Sequence, residues 1–389
     1  MIVPQLRVLL ITRNLPPLRG GMERLNLHLV LELCRNYTLA VCGPRGCSVH
    51  LPRLEGGVAE VRHRPLALFL VTCGIASIVT LFRFRPQLVI AGSGLTAPWA
   101  RVVSWLTGAK AVVYLHGLDV VAPSRIYRAI WLPFIRRMEL VLVNSNNTAR
   151  LARNENVPSD RIRVLYPGTK MPEFNPGAGR HFRERYGLDK RPILLCVGRL
   201  TPRKGVAEFV QNGLARLLES VPDAILLIIG GEARDAVLRS RVSEAERIRT
   251  IGALLGVDHA LRFMNECDDE TLSQAYWAAD IHLFPVLDRV DDVEGFGMVA
   301  IEAAAHGLYT MAFRSGGIAD AIVEGVTGET ITPGDYDTMV RALVSHLTRS
   351  RDEATIGKCI DAARNFSWDC FGKRLRFLLS DESGLNAEG

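Results

Sequence analysis

The sequence predicts an α/β protein built from two Rossmann-like domains, and three observations carry that prediction. At 389 residues the chain exceeds one ordinary core and falls short of three. Apolar runs rich in Val, Ile and Leu alternate with helical segments, the pattern of a parallel sheet covered on both faces. The alternation stops at a stretch rich in proline and glycine and then restarts. Two facing domains, with the active site in the cleft between them, are the arrangement expected.

In chain order, residues 6–12 (LRVLLIT) read as the first strand, because Arg7 interrupts the apolar run and no small-residue cleavage site follows. A helix is expected over 22–35, a strand over 37–43, and further strands over 87–92, 109–117 and 139–145. Residues 65–82 carry no charge over 18 positions, the lower limit for a membrane-spanning helix. Thr72, Gly74, Ser77 and Thr80 interrupt that run, and it lies between two strand-like segments, so a buried crossover helix is the expectation. Residues 166–179 hold three prolines and three glycines in 14 positions and mark the junction. The second half gives strands at 192–198, 224–231, 260–265 and 280–286. Helices are expected over 206–220 and 272–279, with a long charged helix after 231. The expected division is therefore one Rossmann-like domain over 1–170, a linker over 171–190, a second such domain over 191–366, and a C-terminal helix over 367–389 packing back on the first.

Composition narrows the class. Hydrophobic residues at 48% and charged residues at 23% exclude a disordered, collagenous or coiled-coil chain. The formal charge of +6 suits an anionic substrate, membrane surface or nucleic acid. No basic block with interleaved aromatics supports the last, so nucleic acid is not expected as a partner. The eight cysteines show no zinc spacing and no CxxC pair, which points to reduced, mostly buried thiols and a cytoplasmic chain.

Three loops suit phosphate chemistry. Gly20-Gly21 stands between a strand and a helix start, where backbone N–H groups approach an anion closely; a simple tight turn is the alternative. The loop 198–205 (GRLTPRKG) follows a strand and offers the planar fork of Arg199 and the compact charge of Lys204, both suited to a diphosphate. Residues 294–302 (EGFGMVAIE) place Glu294 before a glycine turn, a helix start near Gly297, and Glu302 further along that helix. One carboxylate at each place suits two different hydroxyl pairs of one sugar nucleotide. Glu294 as a helix cap and Glu302 as a solvated side chain are the alternative.

On these residues, together with His116-Gly117, Asn144-Ser145, Pro167-Gly168, Gly230-Gly231, residues 279–285 (ADIHLFP), 294–307 and Ser315-Gly316-Gly317, the chain resembles the family 4 retaining glycosyltransferases of the GT-B fold over nearly its whole length. The resemblance implies an acceptor-binding first domain and a second domain that binds a nucleotide sugar. It implies that Arg199 and Lys204 hold the donor diphosphate, Glu294 the transferred sugar and Glu302 the ribose. His116 would lie beside the reacting face of the sugar, Gly20 and Gly21 would close over the phosphates, and the backbone of Phe296, Gly297, Met298 and Val299 would complete the donor pocket. Arg199, Lys204, His116 and Glu294 are thus the candidate catalytic residues. Two positions depart from the family pattern: Asn265 stands where Gly is usual, and Tyr309 where Pro is common. The acidic run Asp288, Asp291, Asp292 before Glu294 looks most like mannosyltransferases acting on phosphatidylinositol mannosides or polyprenyl-linked sugars. Asp291-Asp292 also suggests a metal pair, but the resemblance implies cationic side chains and a helix dipole in its place, so no metal or other cofactor is expected. Gly92-Ser93-Gly94 matches part of a dinucleotide fingerprint but lacks a suitable acid about 20 residues on.

The function expected is transfer of a hexose with retention, mannose from GDP-mannose first, to a lipid-linked or cell-envelope glycan acceptor. UDP-glucose and UDP-N-acetylglucosamine are alternative donors, and a sugar-nucleotide epimerase or a non-catalytic membrane-docked binding protein are alternatives of another class. No carboxylate is an obvious nucleophile for a covalent intermediate, which favours a front-face displacement. Residues 125–137, with Arg125, Arg128, Arg136 and Arg137 around Trp131 and Phe134, read equally as a helix lying on an anionic membrane at the inner face of the cell and as a core-facing amphipathic helix.

Overall fold

The computed structural model describes residues 6–122, 124–231, 243–289, 292–349 and 353–383, and divides the chain into two compact units. One unit comprises Met1–Gly168 with Trp368–Gly389, the other Thr169–Ser367.

The first unit is a seven-stranded sheet with the order β3-β2-β1-β4-β5-β6-β7, in which every neighbouring pair is parallel. Its strands are β1 Arg7–Ile11, β2 Thr38–Pro44, β3 Val58–Val61, β4 Leu88–Ala91, β5 Lys110–Leu115, β6 Leu140–Val143 and β7 Ile162–Val164. Alternate residues of each strand enter separate cores. Leu9, Ile11, Val89, Ala91, Val113 and Val143 face one, while Val8, Leu10, Leu88, Ile90, Val112 and Leu142 face the other. Burial on both faces explains why these strands are continuous apolar runs with no polar alternation. The C-terminal helix Trp368–Ser383 closes the second core with Phe371, Leu375, Leu378 and Leu379. The Trp368 ring stacks on His28 at 3.7 Å, and Arg376 pairs with the buried Glu32 at 3.2 Å.

The second unit is a six-stranded parallel sheet with the order β10-β9-β8-β11-β12-β13. Its strands are β8 Ile193–Val197, β9 Ile225–Ile229, β10 Leu261–Met264, β11 Ile281–Phe284, β12 Thr310–Phe313 and β13 Gly328–Ile331. The same division recurs, with Leu194, Cys196, Leu226 and Ile228 on one face and Ile193, Leu195, Ile225 and Leu227 on the other.

In each sheet the strand order reverses at one point, between β1 and β4 in the first and between β8 and β11 in the second. At such a point the loops leaving two adjacent strands diverge to opposite faces and open a crevice.

Four expectations change. Residues 171–190, expected as a linker, contain the helix Pro176–Arg185, whose Phe182 is fully buried in the second unit's core. The helix expected over 206–220 is interrupted at Val210–Leu214 by a π turn, where Gly213 lies against Phe209 and Val340. The apolar crossover helix, Leu66–Phe84, is buried on one stripe only, at Phe69, Cys73, Ser77 and Leu81, and its other face is open. In the helix Arg125–Ile135, Trp131 donates its indole N–H to Leu95 O at 2.8 Å and Phe134 is partly buried, so neither is presented outward as an interfacial anchor. The large apolar residues exposed there are Ile126 and Ile130.

Candidate active site

The candidate residues of the second unit gather where its strand order reverses. Strand β8 ends at Val197, and the loop 198–205 turns back through the short helix Pro202–Lys204. Gly205 ends that turn at φ 69°, and a Cβ there would sit 2.0 Å from Pro285 O, so the loop after β8 is pressed against the end of β11. Leu287 N donates to Arg203 O at 2.9 Å and stitches the two loops together.

Held this way, two cations meet one carboxylate. Lys204 Nζ donates to Glu294 Oε2 at 2.8 Å, and the Arg203 guanidinium donates to the same oxygen. Arg203 Nε also lies 3.0 Å from Asp292 Oδ1. Glu294 is fixed from behind as well, since its carbonyl accepts from Gly317 N at 2.8 Å. Gly316 has φ 55°, and a Cβ there would approach Glu294 O to 2.4 Å, which explains the glycine at 316.

Electrostatics follow from this packing. Burial alone would push the Glu294 carboxyl up, but the charges of Lys204 and Arg203 and their hydrogen bonds outweigh it and hold the group well below the ordinary carboxylate range. Burial lowers Lys204, Glu294 raises it again, and the nearby Arg203 and Arg199 lower it, with a net downward shift. Arg199 is exposed and has no hydrogen-bond partner among the described residues. The Lys204 ammonium also lies 4.8 Å from the centre of the Phe284 ring, a favourable cation–π contact.

The helix Met298–Ala305 begins beside this cluster. Gly297 caps it at φ 97°, and a Cβ there would stand 3.1 Å from the Phe284 ring that also underlies Lys204. No side chain caps the helix, so its first N–H groups remain available to an anion. Phe296 is buried, while Met298 and Val299 are partly exposed in the first turn. Glu302, further along, accepts from the Tyr276 hydroxyl at 3.1 Å. A pocket lined by Gly198, Arg199, Lys204, Phe284 and Pro285 opens here.

The candidates of the first unit flank the reversal point of its own sheet. Gly20 caps the helix Gly21–Asn36 at φ 154°, and a Cβ there would collide with Glu23 Oε2 at 2.5 Å. His116 follows β5 and is buried; its Nε2 lies 2.8 Å from Gly92 O, and its backbone N donates to Asp119 Oδ2. A carbonyl only accepts, so Nε2 carries a proton. Nδ1 is buried without a partner among the described residues. Asn26 also donates to Gly92 O, and a Cβ at Gly92 would strike Asn26 Oδ1 at 2.1 Å; the glycines at 92 and 94 therefore serve close packing at this loop.

Comparison with known proteins adds the decisive observation. The chain is 30% identical, over 96% of its length and 98% of the relative's, to a GDP-mannose-dependent alpha-(1-6)-phosphatidylinositol monomannoside mannosyltransferase of Mycolicibacterium smegmatis. Residues 19–171 match the family model Glycosyltransferase Family 4, and residues 180–365 match Glycosyl transferases group 1. The chain belongs to the family 4 glycosyltransferases. This glycosyltransferase is also 27% identical, over 97% of its length and 99% of the relative's, to the mannosyltransferase of the same description from Mycobacterium tuberculosis. Its fold matches that of the Anabaena protein HepE in complex with UDP, with a TM-score of 0.79 at 18% identity over 97% of this chain and all 100% of that one. Sucrose-phosphate synthase of Thermosynechococcus elongatus gives 0.74 at 20% identity over 98% and 100%. The glycosyltransferase therefore has the GT-B fold, each unit a Rossmann-like parallel sheet.

Sequence reasoning assigned Arg199 and Lys204 to one task and missed Arg203, which lies between them in the same loop and holds Glu294. The available signal was its place in the quoted motif, beside Lys204. Of the acidic run before Glu294, Asp292 contacts Arg203, and Asp291 lies outside the described residues.

Proposed function

We propose that this glycosyltransferase transfers mannose from GDP-mannose, with retention of anomeric configuration, to a lipid-linked glycan acceptor of the cell envelope. The observation that carries the reading is the Lys204–Glu294–Arg203 cluster beside the uncapped start of the helix Met298–Ala305. GDP-mannose as donor rests on the mannosyltransferase relatives, and retention on the family resemblance.

In this reading Glu294 accepts hydrogen bonds from the hydroxyls of the transferred sugar and Glu302 from the ribose. Lys204 and Arg199 take the diphosphate, with the N–H groups at Gly297, Met298 and Val299 completing its seat. Gly20, Gly21 and His116 belong to the first unit, which takes the acceptor. The bond from the anomeric carbon to the donor phosphate oxygen breaks as the acceptor oxygen bonds to the same face. The acceptor's proton passes to the departing phosphate oxygen. Developing negative charge on that phosphate is met by fixed cations and N–H dipoles, the preorganised stabilisation that dominates many enzyme rate enhancements.

The test supplies purified protein with GDP-mannose, UDP-glucose and UDP-N-acetylglucosamine, and reads released GDP or UDP and the anomeric configuration of the product. GDP release with an α-linked product is expected. Lys204→Ala should lower turnover by roughly 100-fold or more with an unchanged circular dichroism spectrum. Near wild-type turnover in that variant, or an epimerised sugar nucleotide as product, would refute the assignment.

A further inference from the structure

Around Glu302 the second unit carries a group of polar and aromatic side chains that the donor seat leaves unused. It starts in the helix Asp269–Ala278, whose Tyr276 keeps only 1% of its surface. A buried tyrosine needs a partner for its hydroxyl, and this one donates to Glu302 Oε2 at 3.1 Å. Ser273, three residues earlier in the same helix, has its hydroxyl 2.8 Å from His306 Nε2, and His306 Nδ1 lies 2.7 Å from Glu302 O.

Hydrogen bonding sets the roles within the group. A carbonyl only accepts, so His306 Nδ1 donates to Glu302 O, while burial keeps the ring neutral down to about 4. In that neutral ring Nε2 accepts from the Ser273 hydroxyl. His306 directly follows the helix Met298–Ala305 and binds one of its last four carbonyls, the groups that a helix end leaves without intrahelical partners. The Tyr276 ring stacks on the His306 ring with centroids 4.9 Å apart and 27° between the planes, and the Trp277 ring meets His306 edge-on at 5.1 Å. His306 thereby ties the helix that bears Glu302 to the helix that bears Tyr276.

Glu302 has need of such a hold. Its helix neighbours Ala300, Ala303, Ala304 and Ala305 are buried methyl groups with nothing to steer a carboxylate. A glutamate is among the side chains that lose most rotamer freedom when they are ordered. The Tyr276 hydrogen bond settles one carboxylate oxygen before a ligand arrives, so that loss does not fall on the binding step. An ionised carboxylate has about four acceptor positions, and a single bond from Tyr276 does not exhaust them.

We propose that Tyr276 is a positioning residue for nucleotide recognition: its hydroxyl holds the Glu302 carboxylate ready for the two ribose hydroxyls, and His306, anchored by Ser273, keeps the tyrosine ring in place. This rests on the reading of Glu302 as the ribose-binding carboxylate. Tyr276 acts through Glu302 and not on the reacting atoms, so its effect belongs to donor affinity and to the distinction between ribose and a sugar lacking that hydroxyl pair.

The test titrates the full chain with the nucleoside diphosphate that the donor assay releases, GDP as expected, and with its 2′,3′-dideoxy form. Tyr276→Phe keeps the ring and its stack, and should weaken GDP binding about fivefold while leaving the dideoxy nucleotide and the circular dichroism spectrum unchanged. The donor KM should rise with GDP affinity lost and kcat unchanged, the mark of a lost binding interaction that is the same in ground and transition states. Glu302→Ala should remove most of the preference for GDP over the dideoxy form, and adding Tyr276→Phe to it should cost nothing further. His306→Phe, which keeps a ring against Tyr276 but loses both hydrogen bonds, should show a smaller loss confined to GDP. Equal weakening of both nucleotides by Tyr276→Phe and His306→Phe would reveal a merely structural role and overturn the proposal. So would unaltered GDP binding in Tyr276→Phe when Glu302→Ala does lose the preference, an outcome that leaves the ribose reading standing. A preference that survives Glu302→Ala would instead remove the ribose reading, and the proposal with it.

Discussion

Glu294 is only slightly exposed, and its charge is tolerable because Arg203 and Lys204 converge on one of its oxygens. Removing one member of such a cluster leaves the others buried without a counter-charge, which costs far more than the intact cluster gains. Glu294→Gln keeps the shape and removes the charge. Urea denaturation is expected to show a loss of about 3 kcal/mol, together with a fall in turnover of roughly 100-fold. Stability within a few tenths of a kcal/mol of wild type would mean that the cations find other partners. Arg203 was the residue least legible in the sequence. A basic loop announces positive charge, but which of Arg199, Arg203 and Lys204 turns inward depends on the turn at Pro202–Lys204 and on the approach of Pro285 to Gly205.

Among the elements, the helix Met298–Ala305 best shows how local sequence and packing cooperate. Its alanines at 300, 303, 304 and 305 are buried, so the helix sits close to its neighbours, and Gly297 lets the chain enter it at positive φ. Gly297→Ala forces a side chain into that conformation and toward the Phe284 ring beneath Lys204. The strain should destabilise the protein by about 1–3 kcal/mol. GDP affinity, measured by titration calorimetry, should fall as Phe284 and Lys204 shift; unchanged affinity and melting temperature would argue against a phosphate seat at this helix start. The crossover helix Leu66–Phe84 teaches the converse. Its apolar composition is visible in the sequence, but an apolar residue does not say whether it faces the sheet or outward, and only packing separates Phe69 and Cys73 from Val71 and Ile75.

At the scale of the molecule, the two units differ in the groups that acid would charge. The second unit buries His282, lowered to about 3 by burial and by Lys204, and His306, lowered to about 4 by burial against the opposing pull of the Glu302 carbonyl. The first unit holds His28, lowered to about 4 by burial and by Arg24 and Arg35. A histidine held neutral in the folded state binds its proton in the unfolded chain first, so stability is lost as pH falls from 6.5 toward the folded value. Glu294 adds to this below its ordinary value of 4.5, since the folded state keeps it ionised while the unfolded chain takes a proton. Calorimetry from neutral pH down to about 5, within the unfolded-state histidine titration, should therefore show one transition falling more steeply than the other. His282→Phe should flatten the steeper one; parallel shifts of both transitions in the wild type would contradict this account.

Apolar periodicity and the restart of the strand pattern determined the α/β class, because burial on both faces demands continuous apolar strands. The short strands β3, β7 and β13 are less visible, since each lies at a sheet edge and has only three or four residues to carry a pattern. Motif spacing also picked out Lys204, Glu294 and the glycines around them as candidates. Tertiary structure alone decided that Lys204 and Glu294, 90 residues apart, meet as an ion pair. The physical reason is topological: β8 and β11 are neighbours only because the strand order reverses between them, and that adjacency brings the ends of two distant loops within reach of one oxygen.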